Sequence, residues 1–159
     1  MPQPQALSDD VKPAVLALNN AHATELSWLS AAQLEVLLQE AFYARQIDHG
    51  DAFLLAFDQG AAYGSRNYLW FRERYRSFVY IDRVVVSPPK RGRGYARALY
   101  MDLFAHARRK GHTLVTCEVN SHPPNHASDA FHAGMEFAEV GQGAIHRGSK
   151  TVRYLARVL

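Results

Sequence analysis

The segment from Ser77 to Leu99, SFVYIDRVVVSPPKRGRGYARAL, constrains this chain more than any other. Ser77 to Val86 is a β-branched and aromatic run that reads as a buried strand, and Pro88-Pro89 stop it. Ala96, Leu99, Tyr100, Leu103 and Ala107 then form one stripe, which predicts a helix over Arg93 to Lys110. Gly111 follows at the position favoured for a helix C-cap. Between strand and helix lies Lys90-Arg91-Gly92-Arg93-Gly94-Tyr95-Ala96. A helix N-terminus carries unpaired N–H groups and partial positive charge, which suits phosphate. Gly92 and Gly94 remove side chains that would keep a phosphate from the backbone, and Lys90, Arg91 and Arg93 add a cationic collar. The unit asks for a di- or polyphosphate ligand.

Known phosphate loops narrow the choice. A nucleoside-triphosphate loop needs Gly-Lys-Ser/Thr, which is absent, and the dinucleotide fingerprint needs a third glycine where Arg97 stands. What remains is Arg-x-x-Gly-x-Ala, from Arg91 through Gly94 to Ala96. An incidental basic turn is the bland alternative, and the strand before and helix after count against it.

Elsewhere, Val11 to Leu18 reads as a first strand and Asn19-Asn20 as a turn. Ser30 caps a helix running through AAQLEVLLQEAFYAR, with Leu34, Leu37, Leu38, Ala41 and Phe42 on one face, until Asp48 to Asp51 end it. Ala52 to Phe57 is a short apolar strand, Asp58 to Gly60 a turn, and Ala61 to Tyr63 the start of a partner strand. Asn67 to Arg76 reads as a loop with room for a short helix. Thr113 to Val119 is a buried strand, Ser121 to Asn125 a loop, and Ser128 to Met135 a short helix. Phe137 to Val140 and Thr151 to Val158 are two last strands around a Gly-rich turn. Residues 1–10, polar with two prolines, are expected to fray, and residues 11–159 to form a single domain.

Composition excludes other classes. Hydrophobic residues at 48% and charged residues at 21% are the balance of a globular protein, not of a disordered chain. A net charge of +3, from 18 basic against 15 acidic residues, leans towards small anions. It falls short of the broad positive surface nucleic acid demands, even counting Lys90 to Arg93 and Arg108 to Lys110. Cys117 is the single cysteine, so no internal disulfide can form. MPQPQALSDD has no leader pattern, and no apolar run approaches the roughly 20 residues of a membrane span. A cytoplasmic protein with neither nucleic acid nor membrane as partner is expected. His122, His126 and His132 with Cys117 match no common zinc spacing, so no metal is expected.

Arg91-x-x-Gly94-x-Ala96, the strand ending Val119-Asn120, and Asn125 ahead of SDAFHAGMEF together resemble the GNAT superfamily of N-acetyltransferases, from about Phe53 to the end. The resemblance implies an α/β domain. Its central sheet would be mixed and mostly antiparallel, with splayed central strands and flanking helices. It implies acetyl-CoA as co-substrate, with the pantetheine arm against Val84, Val85 and Val86. Arg91, Gly92, Arg93, Gly94, Tyr95 and Ala96 would take the pyrophosphate, and Asn120 and Asn125 would lie along the cofactor arm. Direct transfer to a primary amine of a small molecule or peptide follows, and homodimers are common in families of this shape. The alternative is an acyl-CoA-binding sensor without turnover.

Where the family usually has a tyrosine that protonates the leaving thiolate, this chain has His132, and where it has glycine, this chain has Glu136. A histidine can donate a proton near neutral pH, and a partly buried one can equally be structural. Two carboxylates compete as the base. Asp82 is expected on one face with Val84 and Val86, and Glu118 lies in the next strand; a salt bridge is the plain alternative for each, and a water chain needs neither. Cys117 sits in an apolar strand and reads as packing. NYLWFRERYRSF offers Tyr68, Trp70, Phe71 and Tyr75, with Arg72, Arg74 and Arg76, as one wall of an acceptor pocket.

Overall fold

The computed structural model describes residues 2–145 and 150–159. The chain opens with a two-residue strand β1 (Gln5–Ala6), so the segment expected to fray has two residues paired to the sheet. Helix α1 (Lys12–Ala21) replaces the strand expected over Val11 to Leu18. The reason lies in spacing: Val11, Val15 and Asn19, four apart, are all buried, and Pro13 sits in the first turn, where its missing N–H costs nothing. The expected turn at Asn19-Asn20 is therefore helical, and both amides bind the loop that follows. Asn19 donates to the Ser27 carbonyl at 2.9 Å, while Asn20 exchanges two hydrogen bonds with the backbone of Leu29, each at 2.9 Å.

Helix α2 (Ala31–Glu40) starts at the expected cap. Gln33 N–H donates to Ser30 Oγ and Ser30 N–H to Gln33 Oε1, at 3.1 and 2.8 Å, which is a complete capping box. It ends at Glu40, well short of the stop expected at Asp48 to Asp51. The apolar pattern runs on, but Tyr43, Gln46 and Ile47 are buried in strand β2 (Tyr43–Ile47), antiparallel to β3 (Ala52–Asp58). Ala61 to Tyr63 forms no strand, and a seven-residue helix α3 (Arg66–Arg72) follows it. Then come β4 (Val79–Val86), α4 (Tyr95–Arg109), β5 (Leu114–His122), α5 (His126–Gly134), β6 (Ala138–Ile145) and β7 (Lys150–Val158). β6 continues through Gly141 and Gly143, and the remainder of the expected Gly-rich turn, 146–149, lies outside the described residues.

These seven strands form one mixed sheet in the order β1-β2-β3-β4-β5-β7-β6, antiparallel except for β4 and β5. Both faces are covered, which is why β3 is apolar from Ala52 to Phe57. Leu54 and Ala56 meet Leu99, Leu103 and Phe104 of α4, while Phe53, Leu55 and Phe57 meet Val15, Leu37 and Phe71 from α1, α2 and α3.

Two irregularities place the site. Leu55 pairs with Arg83 but Ala56 with Ile81, so Asp82 is an extra residue, a β-bulge that reverses the in–out alternation of β4. Parallel pairing of β4 with β5 is confined to Val79 with Val115 and Tyr80 with Thr116, and beyond it the strands diverge.

The β2–β3 turn carries three successive residues with positive φ, Asp48, His49 and Gly50, the last at 90°. A Cβ on Gly50 would stand 2.8 Å from that of Ala14. Gly50→Ala is expected to lower stability by about 1–3 kcal/mol, read as a lower urea midpoint at unchanged slope.

Candidate active site

The diverging strands leave a cleft of about 670 Å³ through the sheet. Tyr80, Asp82, Glu118 and Asn67 line it from the α3 face, and Tyr100, Cys117 and His132 from the α4 and α5 face. A second hollow, about 510 Å³, lies between Arg91 to Arg97 and Phe131 to Met135 of the α5 segment. A third, about 330 Å³, joins them, sharing Glu25, Leu26 and Val84 with the first and Val86, Arg91 and Ala96 with the second. The three form one trough from the glycine loop to the gap between β4 and β5.

At its outer end the glycine loop leads into α4 with the expected geometry. Gly92 and Gly94 have φ of 75° and 81°, in the left-handed region that favours glycine. A Cβ on either would meet no protein atom within 4 Å, so the space beside them is open to a ligand. The first helical bond is donated by Ala98 to the Gly94 carbonyl. Among the described residues the amides of Gly92 to Arg97 consequently have no protein acceptor, the state in which a helix N-terminus takes an anion. The residues present fit a pyrophosphate.

Other expected contacts divide by direction. Val84, Val85 and Val86 all line the trough; the side chains of Val84 and Val86 pack towards α4, and that of Val85 turns into the opposite core. Arg91 folds back, donating to the Val86 carbonyl at 3.3 Å and to His22 Nε2 at 3.0 Å. Tyr95 is buried, its hydroxyl donating to Asp48, so it anchors the loop through its side chain and can offer only backbone. Asn120 and Asn125 line the cleft. Asn125 Oδ1 caps α5 by accepting from Ser128 N–H at 3.1 Å, which leaves Nδ2 as the group it can offer a ligand.

Asp82 is not on a face with Val84 and Val86, because the bulge reverses the alternation between them. Its carboxylate accepts from Arg83 Nε at 2.7 Å and from the Tyr63 hydroxyl at 2.6 Å, on the opposite side of the sheet, with both charged side chains 5% exposed. Glu118 differs. Tyr80 donates to Oε2 at 2.7 Å and Asn67 Nδ2 to Oε1 at 3.1 Å, and among the described residues no cation pairs with it. Burial, with Asp82 adding to it, pushes the Glu118 carboxyl up to about 7, against the pull of those two hydrogen bonds. Asn67 fell within the segment expected to be a loop, and nothing in its sequence neighbourhood singled it out.

His132 is buried and spoken for at both nitrogens. The Ser128 carbonyl, 2.8 Å from Nδ1, can only accept, so Nδ1 carries the proton. Nε2 therefore accepts from the Tyr100 hydroxyl at 2.8 Å. Burial lowers the imidazole's proton affinity and holds the Tyr100 phenol well above its usual value. The pair is neutral. Cys117 is 3% exposed and burial pushes its thiol well up, so it is no nucleophile. His122, His126, His132 and Cys117 are not drawn together, and among the described residues no group of three or more metal-ligating side chains forms.

A model of the Acetyltransferase (GNAT) family matches residues 18–137. The chain belongs to that family. Solved structures repeat its fold over nearly the whole chain. Ard1 from Thermoplasma volcanium superposes with a TM-score of 0.76 at 15% identity, covering 99% of this chain and 97% of that one. The ribosomal-protein-S18-alanine N-acetyltransferase of Escherichia coli gives 0.71 at 17%, covering 99% and 94%. YncA from Salmonella typhimurium, solved with its cofactor acetyl-CoA, gives 0.72 at 15%, covering 99% and 94%. No curated protein matches the sequence. The resemblance that rested on Arg91 to Ala96 and on Asn125 to Phe137 is thus established, and so is the mixed sheet with splayed central strands. Glu136, standing where the family usually has glycine, takes φ of 66°, the conformation a glycine would adopt without strain. Among the described residues no helix is long and apolar enough to cross a membrane.

The hydrogen bonds of His132 make a direct prediction. Nitrogen-15 spectra of the imidazole are expected to show the neutral Nδ1–H form at pH 7, persisting below the ordinary histidine midpoint of about 6.5. A protonated ring at pH 7 would refute the assignment.

Proposed function

We propose that this protein is an N-acetyltransferase that moves an acetyl group directly from acetyl-CoA to a primary amine on a small molecule or peptide. The observation that carries the reading is the trough: six amides at one end and a buried carboxylate at the other, with neither an acceptor for the amides nor a cation for the carboxylate among the described residues, joined through a gap in the sheet. Acetyl-CoA supplies an acetyl thioester, which is already activated towards amines. The chain's residues do the rest. The amides of Gly92 to Arg97 hold the pyrophosphate at the start of α4, where the helix dipole favours negative charge. Val84 and Val86 flank the arm, and Asn125 Nδ2 and Asn120 orient it from α5 and β5.

At the inner end Glu118 acts as general base. An ammonium cannot attack, and a carboxylate whose pKa lies near 7 is both ionised at working pH and basic enough to take the amine proton. Asp82 is the weaker candidate, because taking a proton would break its buried ion pair with Arg83. His132, whose Nε2 lone pair already accepts from Tyr100, holds no proton towards that hydroxyl and serves here to fix Tyr100 against α5. The Tyr100 proton is committed to that nitrogen, so the donor for the leaving thiolate is solvent. Cys117 takes no part, so transfer needs both substrates bound together. The reading keeps the cytoplasmic setting expected for a chain with one free thiol.

Calorimetry with acetyl-CoA comes first. Wild type is expected to bind, and Gly94→Trp, which fills the open space beside the loop, to weaken binding roughly tenfold or more. Binding without thiol release for any of a panel of amines would favour the sensor alternative. No binding at all would end the acetyltransferase reading.

The base makes a second prediction. Activity depends on ionised Glu118, so kcat/KM is expected to fall as pH drops through about 7. Glu118→Gln should lose about 10²–10⁴-fold in rate and lose that limb of the profile. An unchanged profile in the variant would remove Glu118 from the role.

A further inference from the structure

Helix α3 lies on the sheet where its Asn67 reaches Glu118. Its outer side is clamped to the last hairpin. Trp70 stacks on Tyr154 of β7, with centroids 4.1 Å apart and planes at 17°. The same indole covers Gly141 of β6, where an added Cβ would overlap the ring. Arg74 closes over it, its guanidinium 3.9 Å from the ring centroid. On the inner side Phe71 is fully buried, and the Tyr68 hydroxyl donates to the Asp58 carbonyl at 2.6 Å. A helix of seven residues would not hold its shape alone, so this packing is what fixes it.

That packing delivers Asn67. An ionised carboxylate only accepts hydrogen bonds, so the amide must turn Nδ2 towards Glu118 Oε1, at 3.1 Å. Its Oδ1 then faces away and needs a donor. The Tyr154 hydroxyl, 3.0 Å from Oδ1, is that donor, and it stays a phenol because burial raises its pKa. Tyr154 pairs with Glu118 in the sheet register, so donor, amide and carboxylate belong to one rigid unit. The other groups facing Glu118 are Tyr80 and Asp82 from β4, with Tyr100 and His132 across the cleft and Arg66 exposed at its rim.

We infer that Asn67, oriented by Tyr154, is the positioning residue that holds Glu118 in place and keeps its ionised form favoured, making α3 part of the base's machinery. The inference rests on Glu118 serving as the base. Removing the Asn67 amide takes a hydrogen bond from the carboxylate and leaves it protonated to higher pH. Removing the Tyr154 hydroxyl frees the amide to turn over, presenting Oδ1, which favours the protonated acid. Both changes push the Glu118 midpoint the same way, although Tyr154 makes no hydrogen bond to Glu118.

The test is carbon-13 titration of the Glu118 side chain in the full-length protein, wild type against Asn67→Ala and Tyr154→Phe, alongside pH profiles of kcat/KM. Tyr154→Phe keeps the aromatic stack, so it reports even where Asn67→Ala folds poorly. Asn67→Ala is expected to raise the midpoint by roughly one to two pH units, the size of one hydrogen bond to a charged group, with about tenfold lower activity at pH 7. Tyr154→Phe should raise it in the same sense, and the acid limb of each profile should move with it. Midpoints that stay put in both variants, with wild type titrating near 7, overturn the inference. A Glu118→Gln variant with full activity overturns the base reading instead, and shifted midpoints would then still support the placement by Asn67.

Discussion

Parallel pairing between β4 and β5 lasts for two residue pairs, and the site depends on its ending there. A sheet that stayed closed would bury Glu118 between β4 and β5 with no way in. Because the strands part, the backbone groups of β4 beyond Tyr80 that face the gap have no ladder partner on β5 among the described residues, and the Val86 carbonyl takes Arg91 instead. The bulge at Asp82 adds to this. An extra residue in β4 bends the strand and raises its local twist, carrying the end of β4 away from β5. It also lets Tyr80 and Arg83, three apart, share one face, which puts the hydroxyl that binds Glu118 and the guanidinium that binds Asp82 on the same side.

Everything else supports that opening. α4 covers one face through Leu99, Leu103 and Phe104, and the loop before it stops where the trough begins. The loop's position is fixed from below by Tyr95, held to Asp48 in a turn whose left-handed residues point it there. α1 supplies Asn19, whose amide ties the Ser27 carbonyl and whose oxygen accepts from Arg83 at 3.0 Å. The wall of the cleft and the first helix are thereby one hydrogen-bonded piece.

The glycine loop, the long helix after it and the strand before it were legible because their signals are local. Left-handed glycines, an amphipathic stripe and a β-branched run each depend on neighbours in sequence. β2 was not legible, because the α2 stripe of Leu34, Leu37 and Leu38 continues in period into Ala41 and Phe42, and only pairing with β3 pulls Tyr43 to Ile47 into the sheet. α1 was misread for the converse reason: Val15, Leu16 and Leu18 look β-like, and the residue that completes the helical face at four-residue spacing is a polar Asn19. The bulge left no mark on the sequence at all. An alternation drawn through Asp82 gave the wrong face beyond it, and with it the expectation that Asp82 shares a face with Val84 and Val86. The pair that positions Glu118 was equally hidden. Asn67 and Tyr154 stand 87 residues apart, and no local rule relates them.

The two carboxylates at the cleft show how environment assigns roles to the same chemistry. Asp82 sits against a guanidinium that cannot lose its proton, so its charge is compensated and bringing a proton to it would strand Arg83 in the interior. Glu118, also buried, has two neutral donors and a like charge nearby, so its charged form is hydrogen-bonded but not neutralised. One group is tied to a fixed cation and the other is poised near neutrality. Exchanging their surroundings, not their identities, would exchange their roles. What distinguishes them is Arg83 on one side and Asn67 on the other, two residues whose places are set by α1 and α3. The helices on one face of the sheet thus decide which carboxylate can accept a proton from a substrate, while the glycine loop and helices on the opposite face decide where a phosphorylated cofactor can lie.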